Sequence, residues 1–335
     1  MKLPRINYKK GLIAGGLLGL ALIGTKLFGH AMEMVVLWLS LLLITAIDPD
    51  ESPIDHRIKS IIRYTIICAI VTPIAIMGGE TPLSAILLGG GMTWLTSILM
   101  ARGKRFGMEG YLVGTWFFLL LSIGGTWASS MRLSSSFLVG GGLYTLTLGL
   151  IHLRSPKSPP PQKVPPLAPQ MVDQIRKFAI VKTVAVVFTI GLGWLLLNRH
   201  PLWMSNVVFF MFIPTLDKPV VAGVTRAFGT ALGVVGAIVV MNFVPSPQAR
   251  LVIFLVGMSM MVATQGTVYS LYLFFMNLSI LLFMGIQGAP LAIEGTAKIL
   301  TNLMGVGIAW GSLLIWRNWC KQSSGAEAPP VSGVP

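Results

Sequence analysis

Ser155-Pro-Lys-Ser-Pro-Pro-Pro-Gln-Lys-Val-Pro-Pro-Leu-Ala-Pro169 is a short, water-loving tract between two long apolar stretches of similar length. It divides the chain into halves that each read as about six membrane-crossing segments. A doubled membrane bundle suggests a pathway at the seam between its halves.

Composition supports the membrane reading. Of 335 residues, 54% are hydrophobic and 11% charged, with a mean hydropathy of +0.78. A soluble domain carries roughly 25% charged residues, so the chain is an integral membrane protein and the lipid bilayer is its first partner. The apolar runs are helix-length and lack the alternation of a membrane barrel. Net charge +14 would suggest nucleic acid for a soluble protein. In a membrane protein it reflects cytoplasmic loops, which collect Lys and Arg, and no nucleic-acid partner is expected. Cys68 and Cys320 give neither a disulfide framework nor a metal spacing. The apolar run from Gly11 reads as a first membrane helix, because no small-x-small cleavage site follows it.

Apolar windows fall at 11–29, 33–47, 61–78, 82–100, 109–128 and 134–153 in the first half. In the second they fall at 179–197, 202–216, 221–243, 250–264, 268–287 and 297–316. With the N-terminus in the cytoplasm, only Lys26, Arg132, Arg199, Arg250 and Lys298 of the 25 Lys and Arg face outward. That asymmetry predicts both termini and the proline-rich linker inside. An even number of spans per half makes the halves parallel repeats about an axis along the membrane normal. The predicted fold is therefore an all-α polytopic membrane protein of twelve helices. Its parts are a first six-helix half at 1–154, a linker at 155–174, a second half at 175–319 and a disordered tail at 320–335.

The most specific stretch runs from Trp203 through Asp217-Lys-Pro to Arg226-Ala-Phe-Gly-Thr-Ala-Leu-Gly233. A Trp at one span end, a short polar loop, then R-x-x-G-T-x-x-G opening the next helix resembles the fusaric acid resistance / aromatic acid exporter family. More distantly it resembles the plant aluminium-activated malate channels. The resemblance covers about 175–316; in the first half Arg63 is followed by Tyr64-Thr-Ile-Ile without the Gly-Thr pair. Members of that family commonly carry a large cytoplasmic domain where this chain has the proline-rich tract.

The resemblance implies a bacterial inner-membrane permease that exports hydrophobic or aromatic organic anions, together with a periplasmic adaptor of the membrane-fusion type. An anion channel, or a non-transporting component of a larger complex, are the alternatives; a homo-oligomer is compatible with each. The proton gradient or the membrane potential would supply energy, since no phosphate-binding loop is present. No enzyme, cofactor or metal site is expected.

The substrate-binding candidates are Arg226, Arg63, Thr230, Lys298, Gln265 and Asn277. Arg226 either faces an anion path, or snorkels to lipid phosphates or pairs with Asp217. Gly229 and Gly233 share one helix face and suit close helix packing. Lys298 and Glu294 have the spacing of a local ion pair. Gln265 and Asn277 have the character of residues that bond between helices more often than to a substrate. Lys182, about one turn inside the seventh span, reads as an interface marker, and Trp94 and Trp116 as core or path-lining rings.

Overall fold

The computed structural model describes residues 12, 16, 19, 54–122, 124–152, 167–197, 200–212, 219–264, 269–286 and 288–324. The first two predicted spans, most of the proline-rich tract, Gln265, Asp217 and the tail beyond 324 lie outside them. Among the described residues the structure is all-helical, with no strand. In order the helices are α1 (Ile54–Gly78), α2 (Pro82–Ile98), α3 (Lys104–Leu121), α4 (Trp127–His152) and α5 (Pro169–Leu196). They continue with α6 (Trp203–Met211), α7 (Pro219–Phe243), α8 (Pro247–Thr264), α9 (Tyr269–Ile286) and α10 (Leu291–Ser324). A 3-10 turn, Leu99–Arg102, follows α2.

Seven of these helices are long and apolar enough to cross a membrane, and Phe106–Leu121 within α3 is a shorter apolar helix. The multi-pass helical architecture expected from composition is thus present. Two helices outrun their apolar windows the furthest. The window at 179–197 lies in a helix that opens at Pro169, and that at 297–316 in one of 34 residues, Leu291–Ser324. The added turns carry charges, among them the i,i+4 pair Lys177–Asp173 at 2.7 Å. Such turns suit helix but lower hydropathy.

Local chemistry explains the helix ends. Pro82, Pro169, Pro219 and Pro247 each open a helix, where the missing N–H costs nothing. Thr81 caps α2, its hydroxyl accepting from the Ser84 amide at 3.2 Å. At the far end of α7, Arg250 donates to the carbonyls of Val244 (2.7 Å) and Met241 (3.0 Å), binding groups the helix leaves open. Inside α1, Pro73 supplies no N–H for the carbonyl four residues back, Ala69. The Ser134 hydroxyl of α4 donates to that carbonyl at 2.6 Å, so a neighbouring helix repairs the gap.

The chain gathers into two compact units. In one, covering 219–307 of the described residues, α9 packs on α7 and α8. Its core joins Val234 and Ala237 of α7 to Leu278, Leu281 and Leu282 of α9. In the other, 54–212 with 308–324, α1 packs on α3 and α4, α2 on α3 and α5, and α5 on α6. There Trp116 is fully buried, tilted against Phe137 at 4.8 Å, and its indole N–H donates to the Thr72 hydroxyl at 3.0 Å.

Candidate anion site

Arg226 lies two turns inside α7 and is 6% exposed. A guanidinium in an apolar helix is costly unless its donors are met. Here Nε donates to Oδ1 of Asn302 on α10 at 3.0 Å, and Nη1 to the hydroxyl of Tyr269 at the start of α9 at 3.2 Å. Both of these partners are neutral, and they orient the guanidinium. Asn302 is itself fixed, its amide donating to the Lys298 carbonyl at 3.1 Å. Three helices of one unit thus converge on a single cation.

Lys298 departs from its expected place. The sequence puts it at the outer start of the last span, across the membrane from Arg226. Because α10 opens at Leu291, Lys298 lies about two turns inside it. A Cβ on Gly223 would meet Val306, and one on Gly295 would meet Val234, so α7 and α10 run antiparallel with 226 and 298–302 at one level. Lys298 is half-buried, and the two cations repel each other. Glu294 is buried one turn earlier on α10. Two cations and one carboxylate thus lie inside an apolar bundle.

Thr230 and Asn277 form a helix-to-helix contact. The Asn277 amide donates to the Thr230 hydroxyl at 3.3 Å and to the Leu273 carbonyl at 2.8 Å, and both residues are 1% exposed. The same face of α7 holds the two motif glycines against α9. A Cβ on Gly229 would stand 2.7 Å from the Ser270 carbonyl oxygen, and one on Gly233 2.7 Å from that of Phe274. Nothing larger fits without moving backbone.

Arg63 belongs to the other unit and is held by a partner the sequence reading did not single out. Its Nε donates to Glu109 Oε2 of α3 at 3.0 Å, and Nη2 forms an ion pair with the same carboxylate. The Ser60 hydroxyl also donates to Glu109, and the Phe106 ring lies 4.9 Å from the guanidinium carbon.

A second buried cation is the lysine that the sequence reading took for an interface marker. Lys182 of α5 is 1% exposed, so it does not mark an interface. Its Nζ sits 4.1 Å from the centre of the Phe209 ring and 5.7 Å from that of Phe178. Phe178, one turn before it, was a legible cue; Phe209 arrives only through the packing of α6 on α5.

Residues 178–311 match the family described as "Fusaric acid resistance protein-like", which bears out the family resemblance and points to membrane transport. A curated relative, "Uncharacterized protein ORF2" of Neisseria gonorrhoeae, is 25% identical over 139 residues. That match covers 41% of this chain and spans about a third (31%) of the relative's length. No solved structure matches.

Proposed function

We propose that the chain is an inner-membrane permease exporting hydrophobic or aromatic organic anions, with Arg226 and Lys298 as the cationic point that holds the carboxylate. The observation that supports this reading is a buried arginine, held by Asn302 and Tyr269, within the stretch that matches the family. A weak organic acid needs a positive group for its charge and an apolar wall for its ring; the α7–α9–α10 layer has both. Exporting an anion from a negative cytoplasm gains about 2.3 kcal/mol per charge per 100 mV. A proton gradient can add to that. The full assembly on this reading has twelve spans in two parallel halves, both termini inside, and a periplasmic adaptor to carry substrate onward.

Efflux of radiolabelled benzoate, from cells and from vesicles holding the purified chain, tests the proposal. Arg226→Gln removes a charge-assisted contact of about 1.5–3 kcal/mol, so efflux should fall about tenfold or more with the protein still folded. Wild-type efflux in folded Arg226→Gln and Lys298→Gln variants would overturn it.

A further inference from the structure

Lys182 belongs to the other unit, and its described surroundings hold no counter-charge. Helix α2 (PLSAILLGGGMTWLTSI) and helix α6 (WMSNVVFFM), which pack on α5, contain no ionisable residue at all. The 3-10 turn on the same side offers only Arg102, which is exposed. The last part of α10 contacts α5 near Gln174, where the Trp316 indole donates to that carbonyl at 3.2 Å; its ionisable groups are Arg317, Cys320 and Lys321. On α5 itself, Asp173, Arg176 and Lys177 precede Lys182 by five residues or more, and Asp173 is paired with Lys177. From α3 comes Tyr111, its ring stacked on Phe209 at 6.0 Å. Among the described residues no carboxylate pairs with Lys182.

Two opposing terms then act on its nitrogen. An isolated ammonium in an apolar interior is strongly disfavoured. Ring faces pull the other way, attracting a cation placed over them. The flexible four-carbon stem also lets the group turn without backbone movement. A residue built only to fill space needs no nitrogen there, and one built to snorkel would not stop beneath two phenyl rings.

We infer that Lys182, held between Phe178 and Phe209, is a proton-binding site that takes up and releases one proton per transport cycle. The proton adds to the free Nζ lone pair and leaves from the ammonium; no other bond changes. The coupling role rests on the permease reading, whereas proton binding by Lys182 does not.

Everted vesicles holding the full chain, with the membrane potential clamped and the lumen acidified, measure the coupling. Proton-for-anion exchange drives labelled benzoate into the acid lumen, whereas passive benzoic acid collects on the alkaline side. For one proton per anion, wild-type accumulation should change about tenfold per pH unit. Lys182→Gln, which cannot titrate, and Lys182→Arg, which stays charged, should show no dependence on the gradient while a potential still drives uptake. Wild-type gradient dependence in either folded variant overturns the inference. Melting temperature of the purified chain across pH 6–10 gives a readout independent of transport. A pH profile that differs between wild type and Lys182→Met supports proton binding even if no benzoate moves, in which case the permease reading alone fails. Identical profiles overturn the proton site itself.

Discussion

Arg226 and Asn302 meet across two helices through a single 3.0 Å bond from Nε to Oδ1, and Asn302 is in turn tied to the Lys298 carbonyl. With the Tyr269 contact, the buried guanidinium is thus held from α9 and α10 as well as by its own helix.

Asn302→Ala should loosen that orientation. Leaving a buried charged donor short of a partner costs about 1–3 kcal/mol. Benzoate efflux should drop by more than the loss of folded protein accounts for. Arg226→Lys should not rescue it, since an ammonium lacks the planar fork that reaches Asn302 and Tyr269 together. Efflux normalised to folded protein in detergent checks both.

Gly233→Ala pushes a methyl to within 2.7 Å of the Phe274 carbonyl oxygen and 2.9 Å of Asn277 Cβ. Overpacking of this kind costs about 1–3 kcal/mol, and the melting temperature should fall. Gly191→Ala, on α5 with nothing within 4 Å of the new carbon, should leave melting unchanged or raise it slightly, since alanine favours helix by about 0.5–1 kcal/mol. The pair separates crowding from helix propensity.

Ser134→Ala removes the hydroxyl that meets the Ala69 carbonyl opposite Pro73. Stability should fall by about 1–3 kcal/mol for the stranded carbonyl. Replacing Pro73 by Ala in the same chain should recover most of it, because α1 can then make its own bond. Thermal unfolding of the two single variants and the double variant measures the coupling.

Arg63→Ala should act on stability before it acts on transport. It leaves Glu109, whose side chain is 9% exposed, without its guanidinium. In a double-mutant cycle with Glu109→Ala, the coupling should be about 0.5–3 kcal/mol. Additive effects would show that the pair contributes nothing.

Hydropathy made the helices legible because a span's burial in lipid depends on composition, which one sequence carries in full. Boundaries were less so. The charged first turns of α5 and last turns of α10 are helix without being apolar, so a window of apolar residues stops short of them. The motif around Arg226, Gly229 and Gly233 was legible as well, because a small-residue face and a cation in an apolar run are local patterns. Partners were not. Asn302, Glu109 and Phe209 lie far along the chain from the cations they meet, and each reads in its own surroundings as an ordinary polar or core residue. Lys298 was misplaced for a related reason: without the true start of α10, a lysine near a window's edge looks like an anchor at the outer surface.

The absence of side chains at 229 and 233 has a mechanical consequence. With the carbonyls of Ser270 and Phe274 seated where those side chains would be, α7 and α9 are keyed together like two notched rods. Sliding one along the other by a turn would bring Thr225 or Ala237 of the same face against that backbone. Arg226 and Tyr269 must travel as passengers on one stiff plank, and whatever opens a path for an anion has to bend or swing elsewhere in the chain.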